Sequence, residues 1–194
     1  MSVSWFWPPT FHILITSIGR PSLKRLLDSL QQLGSRDAIT IVFDEYPSNI
    51  EPKWLQGHKA TITIVEQTPN LGFWGHEIRN QYQGKLTPEC TFVMHADDDD
   101  EYIPGSFVKL RTLCKDPDTL YISKMKSGAE IIPRQNSVIR LADIGTPNGI
   151  IPTLVTRCGY WGHFYGGDFY YYNSVQRYCP VVFLDAVVYQ VHRF

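Results

Sequence analysis

The sequence predicts an α/β fold: a mostly parallel sheet flanked by helices, extended at its C-terminal end by mixed or antiparallel strands. Three observations predict it. Short apolar runs alternate with amphipathic stretches from about residue 10 to 117, the pattern of strand–helix–strand units. Hydroxyl or acidic residues stand where these runs end, which is where strands leave a parallel sheet and where open α/β sheets bind ligands. After about residue 118 the alternation gives way to shorter runs and a loop rich in glycine and aromatic residues.

Residues 1–10 read as an extended lead-in, kept from helix by Pro8 and Pro9. Residues 11–16, FHILIT, form a short apolar run expected to be a buried strand. A tight exit over 17–20 follows, and Pro21 suits the first turn of a helix. Leu23, Leu26, Leu27, Leu30 and Leu33 then share one helical face, and Gly34 stops the helix. Residues 39–43, ITIVF, and 61–65, TITIV, are the next two strands, and 76–82 is a short helix. Residues 91–95 are a fourth strand, and a helix is expected after Pro104. Beyond residue 118, strands are expected over 120–123, 137–142, 150–156 and 181–191. Parallel strands point the same way, so Thr16, Asp44, Glu66 and Asp97 should gather along one edge of the sheet.

The fourth strand runs into four consecutive aspartates, Asp97 to Asp100, followed by Glu101 and by Pro104-Gly105. Adjacent carboxylates repel one another and cost least when solvent or a divalent cation neutralises them; oxygen ligands suit Mg²⁺, Mn²⁺ or Ca²⁺. A calcium loop would need alternating ligands and a central glycine, which this run lacks. A solvated acidic turn is the plain alternative. The strand in front and the Pro-Gly behind favour a site.

The chain has 194 residues, 43% of them hydrophobic and 19% charged, with a net charge of −1, so it is long enough for one folded domain with a substantial core. No basic block argues for nucleic acid or an anionic membrane surface. No apolar run reaches the length of a membrane span. The N-terminus has neither the charged nor the apolar region of a secretion signal. Its four cysteines are scattered with no C-x-x-C, so zinc is not indicated and free thiols in a reducing compartment are expected. No repeat or composition shift divides the chain.

Several segments, in order, resemble the GT-A fold nucleotide-sugar glycosyltransferases, a Rossmann-like class, and in particular the inverting, family-two-like kind. ILITSIGRP resembles the first strand and nucleotide loop, and VFDE the second strand with its base-contacting acid. NLGFWGHEIRN resembles the N-x-G…R-N segment and MHADDDDEYIPG the D-x-D segment. GGDFYYYN resembles the acceptor-side motif, with Gly167 where the family commonly has Glu. VHRF resembles a C-terminal metal-contacting histidine. The likeness covers most of the chain and is thinnest over 118–150. It implies a single domain, 1–194, with a nucleotide half about 10–117 and an acceptor half about 118–194, compatible with one domain of a longer protein.

The resemblance also implies roles. Thr16, Ser17, Arg20, Asp44, Asn70, Arg79, Asp97 and Asp98 would bind the nucleotide, with Asp44 on the base. Asp99, Asp97 and His192 would hold Mn²⁺ or Mg²⁺. Asp168 would be the general base, and Trp161 and His163 would bind the acceptor, Trp161 by stacking. Trp74 would line the donor side. Each role has a structural alternative: a strand-end turn for Asp44, an ion pair with the aspartates for Arg79, a helix cap for Asp168 and core packing for the aromatics. The expected reaction is metal-dependent transfer of a sugar, with inversion, from a UDP-sugar to a hydroxyl of a glycan or other acceptor. A cytoplasmic enzyme, bacterial or viral-encoded, is expected, as a monomer or weak oligomer. Two rivals stand beside it. One is a glycan- or nucleotide-binding module without turnover. The other is a sugar nucleotidyltransferase, weakened because its usual Gly-rich basic loop is not matched by ITSIGRP.

Overall fold

The computed structural model describes residues 8–86, 89–135 and 137–192; most of the expected N-terminal lead-in, residues 1–7, lies outside them. Four strands form the first half of the sheet: β1 (Phe11–Ser17), β2 (Ala38–Asp44), β3 (Thr61–Gln67) and β4 (Phe92–Asp97). They lie in the order β3-β2-β1-β4, all parallel. Helix α1 (Leu23–Leu30) joins β1 to β2, and α2 (His76–Tyr82) precedes β4. The leucine face expected from the sequence is the buried face of α1. Leu33 is buried too, in a turn just past the helix rather than within it.

The two faces of the sheet take different helices. Strand side chains alternate, so Phe92, Met94 and Ala96 of β4 point one way, and His95 and Asp97 the other. The first set joins Ile13, Ile15, Ile39, Ile41 and the leucines of α1 in the main core, together with Phe107 and Leu110 of α3 (Ser106–Leu113). On the other face, Leu14 and Val42 pack with Ile78 of α2. The same alternation therefore delivers Asp97 to the α2 side.

The C-terminal half is mixed, as expected. The two-residue strand β5 (Glu101–Tyr102) pairs antiparallel with β9 (Val181–Val191). Strand β6 (Leu120–Ser127) pairs parallel with β9 and antiparallel with β7 (Glu130–Ile132) and β8 (Gly149–Pro152), and β8 joins this half to β4. Helix α4 (Gly167–Val175) supplies Tyr171, Tyr172 and Val175 to a second core with Leu120, Ile122, Ile151 and Trp161.

Two expectations need correcting. The strand expected over 137–142 does not form; the stretch is irregular and ends in a turn. Ile139 and Ile144 are buried in the second core as single anchors, while Asp143 accepts the backbone N–H of Arg134 at 2.9 Å, which closes a loop instead of a ladder. The strand expected over 150–156 ends at Pro152 and turns into a 3-10 helix, Thr153–Cys158. No helix among the described residues is long and apolar enough to cross a membrane.

Candidate active site

A pocket of about 420 Å³ opens at the carboxyl ends of β1, β2 and β4. Its wall includes Thr16, Ser17, Arg20, Asp44, Asn70, Asp97, Asp98 and Asp99, so most of the expected nucleotide residues converge from four separate stretches of chain. Thr146, Trp74 and His76 also line it. Glu66 does not join them. It lies on the edge strand β3, and its carboxylate accepts the N–H of Ser48 at 2.7 Å.

The four aspartates have four different environments. Asp98 is buried, and its carboxylate accepts Ser17 Oγ–H at 2.7 Å, the N–H of Ile18 at 3.1 Å and Arg20 at 3.0 Å. It fixes the loop after β1 and is itself fully engaged. Asp99 takes the same guanidinium at 2.8 Å. Burial and the neighbouring Asp97 charge raise the Asp99 carboxyl above its ordinary value, partly offset by Arg20. Asp97 pairs with Arg79 of α2. Asp100 points away from the pocket wall; it accepts the N–H of His192 at 2.9 Å, and burial pushes its carboxyl up to about 8.

Arg79 requires a correction. Expected to touch the nucleotide, it has 0% exposure and is no part of the pocket wall. Its guanidinium donates to Asp97, to Thr16 Oγ at 3.1 Å and to the carbonyl of Trp74 at 2.9 Å, and it lies 5.1 Å from the Trp161 ring centroid. The shared reach to Thr16 and Asp97 follows from register: they are partners in the β1–β4 ladder, on the face that α2 covers. The ion-pair alternative is the one that holds. Asp44 likewise spends its carboxylate on the chain, accepting the N–H groups of Leu71 and Gly72 at 2.7 and 2.8 Å, though it still borders the pocket.

Trp161 requires another. It is 0% exposed, stacked on Tyr171 at 4.3 Å and edge-on to His95 at 4.9 Å, so no acceptor ring can reach its face. His163 is exposed; it stacks on Phe73 at 4.1 Å, and its Nε2 lies 2.8 Å from Glu77. His192, at the end of β9, is not in the pocket wall, and its Nε2 meets Glu101 at 2.9 Å.

Asp168 stands in the first turn of α4, where it accepts the N–H of Phe169 at 2.8 Å. Burial raises its carboxyl to about 6, with the charges of Arg79 and Asp97 acting on it in opposite directions. It is not part of the pocket wall; the preceding Gly167 packs on His76, which is. Gly167, the departure from the family pattern, has a packing reason. A Cβ there would lie 2.4 Å from the carbonyl oxygen of Gly162 and 2.6 Å from the His76 ring, so a glutamate does not fit.

The sequence reading missed what brings this loop to the pocket. His76 Nδ1–H donates to the carbonyl of Gly162 at 2.6 Å; Asn80 makes two bonds to the Trp161 backbone, at 2.8 and 3.0 Å; Gln83 donates to the carbonyl of Gly159 at 3.0 Å. The signal was present: these positions recur at i, i+4 and i+7 on one face of α2.

Among the described residues no three His, Cys, Asp or Glu side chains come together as a metal cage. The donor chemistry still fits a hard cation. Asp97 and Asp99 each give one oxygen to an arginine and have a second to offer. Mg²⁺ in particular is commonly held by one or two carboxylates and completed by water and substrate phosphates.

No protein-family model and no curated protein matches the sequence. Solved structures do match the fold. The S. aureus TarS fragment 1-349, a GT-A-type glycosyltransferase, superposes with a TM-score of 0.73 at 15% identity, over 94% of this chain and 60% of that one. The same fragment in complex with UDP-GlcNAc gives 0.72 at 14% identity, over 96% and 59%. This chain thus spans about three fifths of that fragment. The 4-diphosphocytidyl-2C-methyl-D-erythritol synthase of Anaerococcus prevotii DSM 20548 gives 0.58 at 14% identity, over 91% of this chain and 87% of that one. The chain has the GT-A glycosyltransferase-type fold.

Proposed function

We propose that this protein is a glycosyltransferase that takes a sugar from a nucleotide sugar, of the UDP-sugar kind, and passes it to a hydroxyl of a saccharide or similar acceptor with inversion. One observation carries the reading. Four aspartates, the strand-end loops and an arginine line a single pocket, and the loop that leads into Asp168, whose carboxyl is raised to about 6, packs on His76 of that pocket's wall. TarS has been crystallised with UDP and with UDP-GlcNAc, which supports the donor class.

In this reading Ser17, the backbone after β1 and Arg20 hold the diphosphate. Asp97 and Asp99 hold Mn²⁺ or Mg²⁺; His192 would have to leave Glu101 to join them. A bound cation would supply positive charge against the charge that develops on the departing diphosphate. The acceptor oxygen attacks the anomeric carbon, the bond to the diphosphate breaks, and the diphosphate leaves with the electron pair. The hydroxyl proton goes to the Asp168 carboxylate, whose raised pKa makes it a better base than an ordinary surface aspartate. Arg79 takes no part in the bond changes; it holds Asp97, Thr16 and the Trp74 carbonyl in one arrangement.

The test is release of UDP from a panel of UDP-sugars with Mn²⁺. Asp168→Asn should lower the rate by about 10²–10⁴-fold, the usual worth of a general base, while UDP still binds. A variant as fast as the parent removes Asp168 from the chemistry. UDP binding with no turnover on any donor would favour a binding module.

A further inference from the structure

Four consecutive residues at the pocket mouth have positive φ: Gly72 (64°), Phe73 (53°), Trp74 (54°) and Gly75 (76°). Glycine takes these angles freely, and Gly75 is needed because a Cβ there would lie 2.5 Å from Thr16 Oγ. For Phe and Trp they are strained, and bulky residues held there are genuine outliers. Burial does not repay the strain. Trp74 is 69% exposed, and Phe73 is exposed as well.

The loop is nonetheless tightly held. Buried Asp44 accepts the N–H groups of Leu71 and Gly72, and buried Arg79 donates to the Trp74 carbonyl at 2.9 Å. Two buried charged side chains thus fix the backbone of a loop whose rings stand in solvent. A fixed, exposed aromatic ring binds flat apolar surface with little ordering cost. Its surroundings are polar: Phe73 is stacked on His163, whose ring nitrogen lies 2.8 Å from Glu77 and 3.5 Å from the Tyr160 hydroxyl. Apolar faces edged by hydroxyl and carboxylate groups match a pyranose, with C–H on its faces and hydroxyls on its rim. Position decides which sugar. Trp74 stands in the wall of the nucleotide pocket, and its neighbour Phe73, outside that wall, carries the platform toward the loop that leads into Asp168, the side from which an acceptor hydroxyl would come.

We propose that the loop from Gly72 to Gly75 is a preset platform on which the exposed Trp74 ring receives a pyranose ring of the acceptor saccharide. The assignment of that sugar as the acceptor rests on the transferase reading. It also moves the stacking role from buried Trp161 to Trp74.

The experiment uses the full chain labelled with 5-fluorotryptophan, with the Trp74 line in the ¹⁹F spectrum assigned by Trp74→Phe. Methyl glycosides of glucose, galactose, mannose and N-acetylglucosamine are titrated with and without saturating UDP. The expected result is a shift of the Trp74 line by at least one glycoside that persists with UDP bound, while Trp161 does not move. If no glycoside moves Trp74, or if UDP alone moves it and blocks the glycoside, the platform is not an acceptor site. Failure of UDP to bind would strike the transferase reading instead, and a glycoside shift would remain readable without it. Trp74→Gly separates function from packing: it removes the ring and relieves the backbone. Glycoside affinity should fall at least about tenfold, with a melting temperature unchanged or raised. A melting temperature lowered by more than about 4 °C would mean that the ring serves the fold.

Discussion

Two arginines meet the same run of aspartates in opposite surroundings. Arg79 is wholly buried on the inner face of α2 and pairs with Asp97; Arg20 is 42% exposed on its side chain and bridges Asp98 and Asp99 at the pocket wall. The first is held by three polar partners and a tryptophan face, so Arg79 is part of the core while Asp97 still borders the pocket. The second faces the space where a diphosphate would lie. Burial, and not charge, decides that one arginine positions the site while the other is free to bind. An exposed ion pair exchanges readily with water or ligand, whereas a buried one that loses a partner leaves a charge stranded.

The widest separation between the two should come from truncation. Arg79→Ala leaves Asp97 unpaired at a half-buried position and empties a packed space; we expect about 3–5 kcal/mol of lost stability in urea unfolding. A loss under about 1 kcal/mol would mean that the two arginines are equivalent. Pairing Arg79→Ala with Asp97→Asn in a double-mutant cycle should then give a coupling of about 1–3 kcal/mol, as expected for residues in one buried network. Additive effects would place the stabilisation in the Trp161 contact instead. Arg20→Ala should cost under about 1 kcal/mol of stability. It should nevertheless weaken UDP binding and make that binding less sensitive to salt, measured by titration calorimetry at two ionic strengths.

The same contrast extends to pH. Asp168 is half-buried, and burial raises its carboxyl to about 6. Between the ordinary aspartate value near 4 and about 6, the folded chain holds this proton more often than the unfolded chain does. Its contribution to stability is therefore greatest at the acid end of that window and declines as pH rises through 6. Activity should run the other way, half-maximal near pH 6 and falling below it, because the base must be ionised. A pH–rate profile flat from 5 to 8 would remove Asp168 from the rate-limiting step.

The parallel half of the sheet was legible because its signals are local. Apolar runs and the leucine face of α1 fixed the strands and the first helix, and strand polarity gathered Thr16, Asp44 and Asp97 at one edge. The two arginines look alike in sequence, and only the β1–β4 register, which sets Thr16 beside Asp97, reveals which one α2 buries. Trp161 misled for the same reason. A tryptophan in a Gly/aromatic loop reads as exposed until the His76 and Asn80 hydrogen bonds pull that loop under α2. The strand expected over 137–142 failed because two isolated isoleucines anchor a loop as readily as a strand.

The pocket at the carboxyl ends of β1, β2 and β4 is proposed to hold a nucleoside diphosphate and a divalent cation together. Thermal unfolding with UDP, in Mn²⁺ and again in excess chelator, tests it most directly. UDP at about 100 times its dissociation constant should stabilise the fold by about 2.7 kcal/mol in Mn²⁺. Most of that gain should vanish with chelator and in Asp99→Asn. A UDP shift unchanged by chelator, or no shift in either condition, would contradict it.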